Sequence, residues 1–388
     1  MVSGIRFHGG WFATALAVVL AFSWTLAPGQ ALPAQPAVST QGGNRGDPLS
    51  ALHPAELQWI EGLQSVPGWA GLMRVVSDLG PGRYMILVMA GLLFCANPRL
   101  AFRMTLLMFF TLWLREILAL WLHSPRPYWF GPPITTWGKV AATRHTFGLP
   151  SGHAMVGSAL WLFAAAEYGR RWAWGVAVAT SLAIAFSRLY LGVHFVSDVI
   201  LGLALGVGVA WAWRRWEPAL ERFWFVVVPT PGRALLGVAV GLGMAAVGSV
   251  SCHWLGQSPP PGGWETYVRS ALNPETTVAQ GGAVTGILVG VAMLGCWAKP
   301  TGPWWMRLVR LGVAGVALRF GIEPAGDAIL DGWPGTPSGV GRLSVVFAVA
   351  AVKAWSVWWF FPWLYLRMRQ SVAMEWGVAA TRGRVAIG

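Results

Sequence analysis

Two polar clusters bound one long, mostly apolar stretch of this chain. The first is Pro150-Ser151-Gly152-His153, and the second runs from Ser187-Arg188 through His194 to Asp198. His194 and Asp198 stand four apart at the start of an apolar run, so on a helix beginning there they share a face. The carboxylate can then accept a hydrogen bond from one imidazole nitrogen and leave the other aimed outward as a nucleophile, which serves covalent catalysis. Five residues separate Arg188 from His194, enough for a tight turn that faces both into one pocket.

Ser151-Gly152-His153 opens another apolar run just after Pro150. A helix beginning there directs unpaired backbone N–H groups and the positive end of its dipole outward, which favours an anion. Ser151 adds a hydroxyl donor, Gly152 permits close backbone approach, and His153 is placed as a general acid for a leaving oxygen. The third piece is Pro125-Arg126-Pro127-Tyr128-Trp129, beyond the run that ends at Leu122. Arg126 offers a planar fork suited to phosphate oxygens, and its flanking prolines stiffen the backbone that presents it. Each piece alone has an ordinary explanation: a packing histidine, a topology charge, a helix cap. Gathered on one side of the chain, they converge on a phosphate-handling site.

Arg126-Pro127, Pro150-Ser151-Gly152-His153, and Ser187-Arg188 with His194 and Asp198 resemble the three-part signature of the type 2 phosphatidic acid phosphatase superfamily, over roughly residues 80 to 215. The resemblance implies a six-helix membrane core in which His194 attacks phosphorus to give a phosphohistidine and Asp198 orients it. His153 would protonate the leaving group and later activate water. By the same resemblance Arg126, Ser151, Gly152 and Arg188 hold the phosphoryl oxygens, and no metal or cofactor is required. The first part departs from the family pattern, which has a lysine seven residues before this arginine; Ala119 stands there. Arg115, one helical turn earlier on the same face, is the candidate replacement cation, and a structural pair with Glu116 is the alternative. His123 and His145 lie near the site in sequence without a motif role, and Arg319, Glu323 and Asp327 read as an internal ion pair further on.

These residues need a scaffold, and composition says which kind. Of 388 residues, 55% are hydrophobic and only 11% charged, with mean hydropathy +0.54, more apolar surface than a soluble domain of this size could hide. The fold class is therefore all-α, a polytopic transmembrane helical bundle. Spanning runs fall at roughly 80 to 97, 103 to 122, 152 to 168, 172 to 191, 196 to 213, 234 to 252, 277 to 297, 308 to 321 and 342 to 364, against the ~20 residues a spanning helix needs. The net charge of +13 sits in short clusters between these runs, which argues for loop charge and against nucleic acid. Arg99 and Arg103, Arg170 and Arg171, Arg214, Arg215 and Arg222, Lys299, Arg307 and Arg310, and finally Arg367, Arg369, Arg382 and Arg384 fall in alternate connections. The positive-inside rule makes that side cytoplasmic and puts both polar clusters at the outer face. Cys95, Cys252 and Cys296 show neither disulfide nor zinc spacing.

Residues 1 to 37 are expected to be a signal peptide or an N-terminal membrane anchor. Residues 38 to 79 form an exoplasmic linker and an interfacial helix over 55 to 78, and residues 80 to 215 the phosphatase-like core. A break near 216 to 233, rich in proline, precedes a C-terminal transmembrane bundle, 234 to 388, without chemical signature. The resulting expectation is a bacterial inner-membrane enzyme, its site facing the periplasm or exterior, that hydrolyses a lipid phosphate or polyprenyl diphosphate drawn from the bilayer. A lipid-to-lipid phosphotransferase and a lipid-binding or transport protein with weak turnover are the alternatives, kept open by Ala119.

Overall fold

The computed structural model describes residues 49–130, 134, 146–257, 265–294, 302–333 and 339–367. The expected signal or anchor, His145, Cys296, Lys299, Arg369, Arg382 and Arg384 lie outside the described residues. Among the described residues the regular structure is helical throughout. The helices are α1 (His53–Gln64), α2 (Ala70–Ser77), α3 (Arg83–Gly91), α4 (Pro98–Leu122), α5 (Gly152–Tyr168), α6 (Arg171–Tyr190) and α7 (Val196–Arg222). They continue as α8 (Thr230–Gly256), α9 (Glu265–Ala271), α10 (Glu275–Leu294), α11 (Trp304–Ala317), α12 (Glu323–Asp331) and α13 (Val340–Trp355).

Among the described residues six segments are long and apolar enough to cross a membrane: Pro98–Phe130, Arg171–Tyr190, Val196–Val227, Thr230–Gly256, Tyr267–Leu294 and Val340–Arg367. The chain is thus an all-α, polytopic membrane protein. The expected runs at 80 to 97, 152 to 168 and 308 to 321 are helical as well but fall short of that length or carry charge. With 17 residues, α5 is about 25 Å long at 1.5 Å per residue. The expected single interfacial helix over 55 to 78 is instead two helices, α1 and α2. Pro67 and Gly68, the latter at φ 93°, divide them, because proline cannot extend the first helix and glycine alone takes that backbone turn without strain.

The described chain forms two compact units. One comprises the described residues up to Gly91, within Phe110–Arg215 and within His253–Leu272; the other comprises those within Leu92–Phe109, Trp216–Cys252 and from Asn273 on. In the first unit α5 is the central helix, with Ala154, Met155, Val156, Ala159 and Leu160 fully buried. Lipid is as apolar as leucine, so close packing rather than exclusion from water must hold such helices together. Gly206 of α7 supplies it, for a Cβ there would stand 2.3 Å from the Met155 carbonyl oxygen and 2.0 Å from Ser158 Oγ. The two backbones meet where no side chain fits, and that contact sets the start of α7 beside the start of α5.

In the second unit α10 is buried along most of its length and packs chiefly on α13. Arg99 and Arg103, expected as loop charges, are partly neutralised here. Arg99 grips Glu221 through Nε and Nη2 at 2.7 and 2.5 Å, and Arg103 grips Glu217, with Nη2 at 2.7 Å from Oε2. Arg319 pairs with Glu323 on an exposed helix face, whereas Asp327 pairs with Lys353.

Candidate active site

The turn between α6 and α7 carries the proposed nucleophile. After Tyr190 the chain bends through Gly192, at φ 68°, and α7 begins at Val196. His194 therefore lies two residues ahead of the helix, not within it, and Asp198 sits in the first turn. The expected pairing is nevertheless made, by capping: Asp198 Oδ2 accepts the Phe195 backbone N–H at 3.0 Å and lies 3.1 Å from His194 Nδ1. A carboxylate reaching back from the third helical position to the cap residue's amide is half of a capping box. Local helix-start chemistry thus delivers the carboxylate to the imidazole.

Arg126 settles which imidazole nitrogen carries the proton. Its Nη1 lies 3.1 Å from His194 Nε2 and can only donate, so Nε2 accepts and the proton resides on Nδ1, facing Asp198. The Nε2 lone pair is the basic one, and it accepts from Arg126. Burial first, and then the positive charges of Arg126 and Arg188, hold this imidazole well below its ordinary pKa, so it is neutral at pH 7.

Backbone carbonyls fix the guanidinium of Arg126. It donates through Nε to Thr146 O at 2.5 Å, through Nη1 to Val193 O at 3.0 Å, and through Nη2 to Thr146 Oγ1 at 2.7 Å and Phe147 O at 3.3 Å. The 3-10 turn Pro127–Phe130 follows at once, closed by the Trp129 N–H on Arg126 O at 2.9 Å. Trp129 stacks on Tyr267 of α9 at 5.0 Å, so the segment expected as an outer loop of the C-terminal bundle packs against the turn that carries Arg126. Gly148 lets the 146–150 strip close on this cluster: a Cβ there would stand 2.6 Å from Pro125 O and 2.8 Å from Asp198 Oδ2.

Ser151 is the N-cap of α5, and its backbone N–H donates to Asp198 O at 2.9 Å. Its hydroxyl makes no capping bond; fully buried, Ser151 Oγ has no protein partner among the described residues. Arg188 is 3% exposed, donates through Nη1 to Ser77 Oγ at 2.6 Å, and keeps Nε without a partner among them. His153 is half-buried, one residue into α5. Gly152 sits against the Arg115 side chain, where a Cβ would stand 3.4 Å from Cδ and Nε.

Arg115 is committed within the protein. It donates through Nε to Pro150 O at 3.1 Å, through Nη2 to Phe147 O at 2.5 Å and through Nη1 to Glu116 Oε2 at 2.6 Å. These three bonds tie the fork to the 147–150 strip and to Glu116. Ala119 is 2% exposed, inside the bundle. His123 is partly buried and edge-on to Phe147 at 5.3 Å. No group of three or more His, Cys, Asp or Glu among the described residues could hold a metal ion.

Several supporting residues were invisible in the sequence. Ser77 of α2 and Glu56 of α1 reach the site from helices more than a hundred residues away from Arg188 and Ser197 in the chain. Only a hint existed for Glu56, an acid on an amphipathic helix, and it does not point to a partner.

Residues 100–222 match the model of the PAP2 superfamily. Lipid phosphate phosphatase delta of Arabidopsis thaliana is 30% identical over 148 residues, 34% of this chain and 34% of the relative. Glucose-6-phosphatase 3 of Rattus norvegicus is 28% identical over 178 residues, 40% of this chain and 51% of the relative. The chain therefore spans about a third to a half of the length of the curated relatives it matches. Among solved structures, a transmembrane PAP2 type phosphatidylglycerolphosphate phosphatase from Bacillus subtilis is 19% identical, with 54% of this chain and 98% of that one covered at a TM-score of 0.37.

Proposed function

We propose that this chain, a polytopic membrane protein whose residues 100–222 are of the PAP2 superfamily, is a phosphatase that hydrolyses a lipid phosphate or polyprenyl diphosphate. One observation carries the reading. A neutral histidine whose Nδ1–H faces Asp198 and whose Nε2 accepts from Arg126 lies in a cluster where Ser151 Oγ and Arg188 Nε are buried donors without a partner among the described residues. Buried donors are ordinarily satisfied, and a phosphoryl group supplies the acceptors.

In the proposed mechanism His194 Nε2 attacks phosphorus, and the bond from phosphorus to the leaving oxygen breaks. His153 gives its proton to that oxygen, leaving a phosphohistidine. His153 then takes a proton from water, the water oxygen attacks phosphorus, the N–P bond breaks and phosphate departs. Asp198 stabilises the charge that develops on the imidazole. Arg126, Arg188, Ser151 and the amides at the start of α5 neutralise the equatorial oxygens, which is the main demand of phosphoryl transfer. Lipid is the proposed substrate class because the site is built from helices of a membrane bundle, and the loop charges support an outer-leaflet orientation.

The test is phosphate release by the purified protein in detergent from a panel of phosphatidate, phosphatidylglycerol phosphate and polyprenyl diphosphate. His153→Ala should cost about 10²–10⁴-fold, as expected for a lost general acid. His194→Ala should form no acid-labile phosphoenzyme. A wild-type protein silent across the panel, or a His194→Ala variant that still turns over, would refute the mechanism.

A further inference from the structure

We infer that Glu56, on α1 and outside the stretch that matches the PAP2 model, is a positioning residue for the nucleophile: it completes the cap of α7 and so keeps Asp198 on His194. The inference rests on the phosphatase reading of the same site.

The start of α7 presents amides that need acceptors, and its cap residue, Phe195, has no polar side chain to offer. Asp198 serves the Phe195 amide, using the same oxygen, Oδ2, that faces His194 Nδ1. The amide two residues on, that of Ser197, is served from another helix: Glu56 Oε1 accepts it at 2.7 Å, and Glu56 Oε2 accepts the Ser197 hydroxyl at 3.2 Å. A negative charge at this end also suits the helix dipole. Without Glu56 the Ser197 amide would seek the nearest carboxylate in its own turn. Asp198 Oδ1 is buried and has no partner among the described residues, so the carboxylate could rotate to that amide and leave the imidazole.

The rest of α1 is built to hold Glu56 in register. His53 stacks on Phe195 at 4.2 Å with the rings 6° from parallel, and meets Phe130 edge-on at 5.8 Å. Ile60, fully buried, joins Phe195 and Ile134 in one cluster with Leu57 and Phe130. Gln64 Nε2 donates to Tyr190 O at 3.0 Å, and Tyr190 OH donates to Val66 O at 2.6 Å. Contacts at residues 190, 195 and 197 bracket His194 on both sides. The apolar contacts alone would dock α1; the carboxylate adds a constraint aimed at the one amide beside Asp198.

Wild type, Glu56→Ala and Glu56→Gln are to be compared in detergent for kcat and KM on the best lipid phosphate of the panel, and for amide hydrogen exchange in the 191–200 segment. Glutamine keeps an oxygen for the Ser197 amide and can donate its Nε2 to the Ser197 hydroxyl oxygen, without the charge. Glu56→Ala should lower kcat about tenfold to a hundredfold, the scale of a reacting group displaced by about 1 Å, with KM nearly unchanged. Glu56→Gln should recover most of kcat, and exchange at 191–200 should quicken only in the alanine variant. A Glu56→Ala kcat within twofold of wild type, or unchanged exchange at 191–200, overturns the inference. If wild type itself releases no phosphate, the phosphatase reading fails, while the exchange comparison still decides whether Glu56 orders the turn.

Discussion

Arg115 is the most informative residue to perturb, because it could bind substrate or hold the protein together, and the two roles have different signatures. It is 5% exposed and its partner Glu116 is 8% exposed. Arg115→Met removes the ion pair and two hydrogen bonds, to Pro150 O and Phe147 O. Breaking a buried pair from one side costs about 3–5 kcal/mol, since the remaining charge stays buried. Each lost hydrogen bond adds about 1 kcal/mol. The total is about 5–7 kcal/mol, comparable with the whole stability of many domains. Most of it comes from the stranded carboxylate, so Arg115→Met/Glu116→Gln should recover about 3 kcal/mol or more relative to the single variant. Unfolding in detergent followed by tryptophan fluorescence reads the stability, and phosphate release reads the site. In the double variant kcat should remain depressed, because the 147–150 strip that leads into Ser151 has lost its staple, while KM stays close to wild type. A double variant with wild-type stability, unchanged kcat and a raised KM would refute the stapling role and make Arg115 a phosphate ligand. A gain in activity from Ala119→Lys together with no loss in Arg115→Met would remove Arg115 from the site altogether.

Two further outcomes follow from the packing. Gly206→Ala should destabilise the first unit by about 1–3 kcal/mol or more, because the new methyl meets the Met155 carbonyl as well as Ser158 Oγ, and backbone cannot swing aside; a Gly206→Ala protein that melts with wild type would contradict the close α5–α7 approach. His53 is lowered to about 4 by burial, so below pH about 6.5 the unfolded chain takes up a proton that the folded chain refuses, and stability falls until pH about 4. His53→Phe keeps the ring stack on Phe195 and should flatten that part of the stability profile; an equally steep fall in the variant would show that other groups drive it.

The sequence and the structure agree most closely where chemistry depends on short spacing. His194 and Asp198 are four apart, and any helix start near them brings the carboxylate within reach; the start lies at Val196, and Asp198 does double duty as cap and partner. The Ser151 helix start was legible for the same local reason. Helix positions were legible because runs of apolar residues of spanning length have few other ways to satisfy their backbone in lipid. The turn at Pro67-Gly68 was present in the sequence but submerged by the apolar periodicity on both sides.

Contacts made across long separations were not legible. Nothing in the spacing of Glu56 and Ser197, 141 residues apart, or of Ser77 and Arg188, 111 apart, says that they meet. The same holds for Tyr267, far beyond the signature, which stacks beside the turn of Arg126. By itself the sequence determined a membrane bundle and the residue types of a candidate phosphate site, since composition and motif spacing are local properties of the chain. The tertiary structure decided how the proposed nucleophile is held: Glu56 at Ser197, the Arg115 staple on the 147–150 strip, and Nε2 accepting from Arg126. Those depend on which helices pack together, and packing is fixed by shape across the whole bundle.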